Sequence, residues 1–435
     1  MTSADEHGTG EADATPDAAT RAAVAAGDSA HESEPSVGGE LARLYLRHRE
    51  ERRLAAGHLW VFSNEIDVAR SPPSKFAPGQ LVALHSDRDR FLGYAYVNPH
   101  SLIAARILGR DAAHRPSKSL FVHRLQVALA LRKRLYAEPY YRLVHGESDA
   151  LPGLVIDRYG DLCVVQVGTA GMEARRDWIE AALAKVVKPR VLVWKNDGGS
   201  RELEGLPRYV ESPQGEVPES VEVVEAGLRF AAPLAGGQKT GWFYDQAANR
   251  AQFLGLARGA ERVLDVFSYV GGWGVSAGAR GAREVVCVDS SATALEYAER
   301  NATANGVAGF STRRGDGFEV LESLHAAREK FDLVVVDPPA FIKRRKDAPK
   351  GEAAYRRVNQ LAMQLLGRDG WLVSCSCSYH LESGALLDAI QKAARHLGRF
   401  AQVVATGGQS PDHPVHPAIP ETRYLKGFLV RVTHD

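Results

Sequence analysis

The chain has 435 residues, 45% of them hydrophobic, and a formal net charge of +1. That length accommodates two or three domains with separate cores, and no stretch reaches the roughly 18 uncharged apolar residues of a membrane span. Four cysteines in so long a chain do not suggest a disulfide framework, and the first residues have neither the basic and apolar regions of a secretory signal nor the basic character of a transit peptide. The expected compartment is a reducing cytoplasm.

Residues 1–40 contain nine acidic side chains and one basic one, Arg21, with almost no large apolar residue. This predicts a disordered acidic tail. The rest of the chain carries 53 basic against 44 acidic residues, a balance that permits a polyanionic partner without demanding one.

Residues 41–116 predict a small β-barrel or sandwich. The segments "HLWVFSNEI", "GQLVALHS", "FLGYAYVNP" and "SLIAARILG" read as short strands broken by turns. Just before them, "LRHREERR" supplies Arg47, Arg49, Arg52 and Arg53. By itself such a run reads as a solvated face. Residues 117–230 predict a central α+β domain. Here "SLFVHRLQVALALRKRLY" has helical spacing, "LPGLVIDRYGDLCVVQVG" reads as two strands joined at Tyr159-Gly160-Asp161, and "RVLVWKND" reads as another strand. Cys163 fits a buried small hydrophobe. From 231 to 435 strands such as "ERVLDVF", "EVVCVDS", "FDLVVVD" and "GWLVSCSCS" alternate with helical stretches. That alternation predicts an α/β, Rossmann-like, mostly parallel sheet covered on both faces.

"VLDVFSYVGGWGVSAGARGAREVVCVDSS" reads as strand, Gly-rich turn, helix, strand. Asp289 ends the second strand, 24 residues after Asp265, where a carboxylate accepts hydrogen bonds from ribose hydroxyls. The turn departs from the G-x-G-x-x-G spacing that suits a pyrophosphate. The departure favours S-adenosylmethionine, which has no phosphate. Asp316, in "RRGDGFEVL", falls at the expected end of a third strand, facing either adenine or simply a turn. Asp337 follows the buried run "FDLVVV", and two prolines then force an extended exit. The side chain is held at the mouth of the sheet, where such folds bind ligands.

In "LVSCSCSY" the faces alternate, so Val373, Cys375 and Cys377 point one way and Ser374, Ser376 and Ser378 the other. A Cys-x-Cys pair alone cannot complete a tetrahedral metal site, and no metal is expected. Cys375 reads as core packing. Cys377, nearer the strand end, is placed to share a pocket with Asp337. A thiolate beside a methyl donor suits pyrimidine C5 methylation, because addition at C6 turns C5 into an enamine carbon able to attack the sulfonium. Asp337 would then serve cytosine N3. On a polynucleotide this requires an unpaired or flipped base. The basic run Lys343, Arg344, Arg345 and Lys346 borders the expected mouth, where phosphate contacts would position a strand.

Taken together, "GHLWVFSNEI", "GESDALPGLVIDRYGD", "GQKTGWFYDQAANR", "VLDVFSYVGGWG", "VVCVDSS", "VVVDPPAF", "SCSCS" and "DHPVHPAIPETRYLKGF" resemble, in order, the bacterial ribosomal RNA large-subunit methyltransferase I family, which makes 5-methylcytidine in 23S rRNA. The resemblance implies a PUA-like RNA-binding domain and an S-adenosylmethionine-dependent catalytic domain. It implies Cys377 as nucleophile, and a cofactor surrounded by Tyr244, the loop of Asp265, Phe267, Ser268, Tyr269 and Gly271, then Asp289 and Ser290, Asp316 and Gly317, and Asp337. The implied partner is 23S rRNA or a ribosomal assembly particle. Oligomeric state, including a homodimer, stays open. Two other readings also stay open: methylation of a base nitrogen without a thiol, and a non-catalytic ribosome-assembly protein.

Overall fold

Nineteen strands form four sheets among the described residues of the computed structural model, which are 40–234, 236–237 and 240–434. The expected disordered tail, apart from Glu40, and Gln238 and Lys239 of the "GQKTGW" motif lie outside them. The first sheet has the order β1-β3-β4-β5-β2: β1 (Arg43–Tyr45), β2 (Trp60–Phe62), β3 (Gln80–His85), β4 (Phe91–Val97) and β5 (Ile103–Gly109). Its alternate residues Leu44, Val61, Val82, Leu84, Ala95 and Ile107 fill one core, as the two-residue period of a one-sided sheet requires.

The second sheet, ordered β10-β9-β8-β7-β6, contains β6 (Tyr140–His145), β7 (Leu154–Tyr159), β8 (Leu162–Val167), β9 (Val191–Asn196) and β10 (Tyr209–Glu211). β7 and β8 form the expected hairpin, with Gly160 at φ +62° in its turn. Helices Lys118–Leu135 and Arg176–Val186 cover one face. The other face packs on the hairpin of β11 (Ser220–Glu225) and β12 (Leu228–Pro233). β12 runs through the 230/231 boundary drawn from sequence, and its core includes Tyr269, Val270 and Tyr297 of the C-terminal region.

The β11–β12 hairpin is the third sheet; the fourth reads β15-β14-β13-β16-β17-β19-β18: β13 (Arg262–Val266), β14 (Glu284–Asp289), β15 (Phe310–Arg314), β16 (Phe331–Val336), β17 (Leu366–Ser376), β18 (Arg399–Gly407) and β19 (Lys426–His434). The neighbours from β15 to β17 are parallel, and β19 inserts antiparallel between β17 and β18. The near-continuous apolar runs "EVVCV" and "LVVV" match strands buried on both faces. Leu264, Val334, Leu372 and Val430 face helices Gly317–Ala326, Ala348–Gln364 and Ser383–His396. Val263, Leu333, Val373, Cys375 and Leu429 face Phe253 and Trp273 on the opposite side. Strand order reverses between β13 and β16, which opens a crevice at the carboxyl ends.

The stretch between β18 and β19 laces the sheets together. Ile419 is buried in the core of the first sheet. Arg132, itself fully buried, donates to the Asp412 carbonyl at 2.8 Å and to both oxygens of Asp149 at 2.6 and 2.8 Å. Among the described residues no helix is long and apolar enough to cross a membrane.

The first and second sheets meet where Tyr96 packs on Gly171, and the Tyr96 hydroxyl donates to the Pro152 carbonyl at 2.7 Å. A Cβ at position 171 would come within 2.0 Å of the Tyr96 ring. Gly171→Ala is therefore expected to cost about 1–3 kcal/mol by overpacking, measured as a lowered thermal unfolding midpoint. An unchanged midpoint would show that the two sheets separate freely.

Candidate active site

Five successive parallel strands deliver their carboxyl ends to one cavity of about 450 Å³, within the roughly 300–1,000 Å³ range of small-molecule sites. After β13 come Phe267, Ser268 and Tyr269; at the end of β14, Asp289 and Ser290; after β15, Asp316 and Gly317; after β16, Asp337; after β17, Cys377. All of these line the cavity.

On one side the loop after β13 is shaped by Phe267 and Tyr269, both in the left-handed region at φ +66° and +50°, a conformation rare for bulky residues and concentrated at ligand sites. The Tyr269 amide donates to Asp289 Oδ2, and the Ser291 amide to Asp289 Oδ1, each at 2.9 Å. The carboxylate is fixed by one backbone N–H per oxygen and keeps lone pairs for a ligand. Asp316 caps the helix Gly317–Ala326, accepting from the Phe318 amide at 2.9 Å. Gly317 is required by close approach: a Cβ there would meet the Phe267 ring at 2.6 Å. Phe267, Phe318 and Phe341 form an aromatic cluster with centroids 5.8–6.4 Å apart.

On the other side Asp337 accepts from Gln246 Nε2 at 2.9 Å on both oxygens and from Trp273 Nε1 at 3.2 Å. Burial raises its carboxyl to about 6, against the opposing pull of the Trp273 donor. Asn249 locks the Gln246 orientation by donating to its Oε1 at 2.7 Å. Asp245 also lines the cavity and accepts from the Tyr424 hydroxyl at 2.6 Å. β17 pairs with β19 up to Ser376↔Lys426, so the strand stops one residue before Cys377. The Ser378 amide then turns back onto Ser376 Oγ at 3.1 Å. Ser376 Oγ donates to the Tyr355 hydroxyl at 2.8 Å, and Ser378 Oγ lies 2.9 Å from the same hydroxyl. The serine face is anchored from behind, which leaves Cys377 half-buried on the cavity side. Cys375, on the same face two residues earlier, is fully buried, and burial pushes its thiol up.

Three residues expected around the cofactor do not line the cavity. Tyr244 is buried behind it, its ring tilted 33° against that of Tyr159 at 5.4 Å, with its hydroxyl donating to the Arg158 carbonyl at 2.9 Å. Gly271, at φ +80°, starts the helix Gly272–Gly278. Asp265 lies under that helix, where its Oδ2 accepts from the Gly274 amide at 2.9 Å. Of the basic residues, Lys343, Arg344, Arg345 and Lys346 are exposed beside the cavity residue Phe341, and Arg47, Arg49 and Arg52 are exposed in the turn and short helix between β1 and β2. Arg53 departs from the expected solvated run. It turns inward, donating to Glu65 at 2.7 and 2.8 Å and to the Trp60 carbonyl at 3.0 Å.

Sequence reading passed over Asp245, Gln246, Arg250 and Trp273, all of which line the cavity. Arg250 is held by Glu225 through bonds of 2.6 and 2.7 Å. The signal available was the dense polar run "FYDQAANR" at a helix start.

A family model for a PUA-like domain matches residues 44–110, and one for S-adenosylmethionine-dependent methyltransferases matches residues 208–426. The ribosomal RNA large subunit methyltransferase I of Aeromonas salmonicida (strain A449) is 36% identical over 394 residues, 89% of this chain and 98% of the relative. That of Tolumonas auensis is 36% identical over 395 residues, with the same coverage. A solved structure of a candidate methyltransferase complexed with SAH shares the fold, with a TM-score of 0.76 at 22% identity over 90% of this chain and 100% of that one. Fold, cavity and family model together define an S-adenosylmethionine-dependent methyltransferase. Within that class, the chain belongs to the ribosomal RNA large subunit methyltransferase I family.

Asp265 yields a pH prediction. Burial raises its carboxyl to about 7, although the Gly274 amide opposes the shift. A carboxyl raised on folding contributes stability that is complete below its unfolded value near 3.8 and is lost as pH rises through about 7. The melting-temperature advantage of Asp265→Asn over the parent protein should therefore grow from pH 4 to pH 7 and then level off. A pH-independent difference would contradict the buried charge.

Proposed function

We propose that this enzyme methylates C5 of a cytosine in large-subunit (23S) ribosomal RNA, with Cys377 as covalent nucleophile. What supports the reading is that Cys377 and Asp337 line one cavity together with Asp289 and Asp316. Asp289 is the candidate for the ribose of S-adenosylmethionine, and the Phe267–Phe318–Phe341 cluster with Asp316 and Gly317 for its adenine. The cavity's size and its mixture of aromatic wall and fixed carboxylates suit that cofactor. Bound there, S-adenosylmethionine supplies an electrophilic methyl group.

The chain's own residues supply the rest. The Cys377 thiolate adds to C6, forming an S–C bond and moving the ring electrons toward C5 and N3. Asp337, held near 6 by burial, carries a proton for N3 in part of the population at neutral pH. With C5 nucleophilic, a bound sulfonium would give up its methyl group to C5 and leave as the neutral thioether. A base then removes the C5 proton, the electron pair expels the thiolate, and the N3 proton returns to Asp337. Gln246 and Trp273 hold the Asp337 carboxyl in one orientation throughout. Exposed Lys343, Arg344, Arg345 and Lys346, with Arg47, Arg49 and Arg52, supply sequence-independent phosphate contacts.

Cys377→Ala should abolish methyl transfer to ribosomal RNA while leaving S-adenosylmethionine binding intact. Cys375→Ala should retain transfer, because its sulfur is sealed in the core. Nucleoside mass spectrometry of the RNA product and calorimetric cofactor binding check both outcomes. Full activity of Cys377→Ala would replace the covalent reading with direct attack by a base nitrogen.

A further inference from the structure

β19 brings a cation to Cys377 that the reaction scheme above does not use. Lys426 pairs with Ser376 in the β17–β19 ladder. Its ammonium reaches past the end of β17 and donates to the Ser378 carbonyl at 2.5 Å, one residue beyond Cys377. Leu425, immediately before it, lines the cavity with Cys377. We propose that Lys426 is a positioning residue for the nucleophile: its ammonium, fixed on the Ser378 carbonyl, holds the Cys377 sulfur in the ionised form that attacks the base.

The negative groups around the sulfur give such a cation a role. Asp337 and Asp245 line the same cavity, and negative charge on either disfavours a thiolate. The Tyr355 and Tyr424 hydroxyls and the buried Cys375 thiol also interact electrostatically with Cys377, and none of them brings positive charge. Arg250, another cation on the cavity wall, is neutralised by Glu225. Lys426 is half-buried; burial pulls its ammonium down to about 8, and Cys377 acts in the opposite direction. The coupling is mutual, so an ammonium favoured by the thiolate favours the thiolate in return. In the resulting sequence the thiol proton leaves to solvent, the sulfur pair attacks C6, and the ammonium stays protonated.

The inference rests on Cys377 as nucleophile, and its test is separate from the methyl-transfer assay. Full-length protein is alkylated with iodoacetamide between pH 6 and 10, and modification of Cys377 is followed by peptide mass spectrometry in the parent, Lys426→Met and Lys426→Arg. Lys426→Met is expected to move the midpoint up by about one pH unit and to raise the plateau rate above it, since a more basic thiolate is the stronger nucleophile. Lys426→Arg should keep the parent midpoint. An unmoved midpoint in Lys426→Met overturns the role of Lys426, and so does an equal shift in both variants, which would mark a steric rather than a charge effect. Methyl transfer by Cys377→Ala would instead overturn the reading of Cys377 itself.

Discussion

The chemistry argued for this enzyme depends on the two-residue period of β17. Its pairing with β19 runs from Asp369↔Thr433 to Ser376↔Lys426 without a shift of register. Eight consecutive pairs fix which face each side chain takes. Val373 and Cys375 enter the core, Ser374 and Ser376 take the other side, and Cys377 is the first residue of the inward series to pass the strand end. A slip of one residue would exchange the two buried faces, putting the serine series where the sulfurs lie and turning both sulfurs away. A thiol two residues short of the edge is a packing group, and the same thiol at the edge is available to a ligand.

Around that edge, the parallel sheet converts sequence-distant segments into neighbours. Asp337 is 91 positions from Gln246, and Tyr424 is 179 positions from Asp245, yet all but Tyr424 line one cavity. Buried donors fix the Asp337 carboxyl, and burial raises it to about 6. The segment between β18 and β19 reaches the core of the first sheet through Ile419 and the second sheet through Asp412, before returning to the site at Leu425. Contacts made by the PUA-like domain are thus tied by covalent chain and buried hydrogen bonds to the edge where Cys377 sits.

The sequence carried much of this because strand ends have local signatures. The apolar run before Asp337 and the prolines after it describe a buried strand with a forced exit. Alternation put Cys375 and Cys377 on one face, and nearness to the strand end distinguished the second thiol from the first. What stayed hidden was set by tertiary contacts. Arg53 sits in a run that reads as a solvated face, and nothing nearby reveals that Glu65 takes it inward at 2.7 Å. Asp265 ends in the same kind of strand as Asp289, but the helix Gly272–Gly278 closes over it. Gln246 and Lys426 belong to motifs visible as strings, whereas their partners are recognisable only once the sheet has brought them together.

Covalent trapping tests the role of Cys377 directly. In large-subunit ribosomal RNA carrying 5-fluorocytidine and incubated with the full-length enzyme and S-adenosylmethionine, the fluorine cannot leave as the C5 proton does, so an adduct at C6 persists. A denaturation-resistant protein–RNA complex whose peptide map places the link at Cys377 is expected. A methylated product without any adduct, or a link at Cys375, would contradict that role.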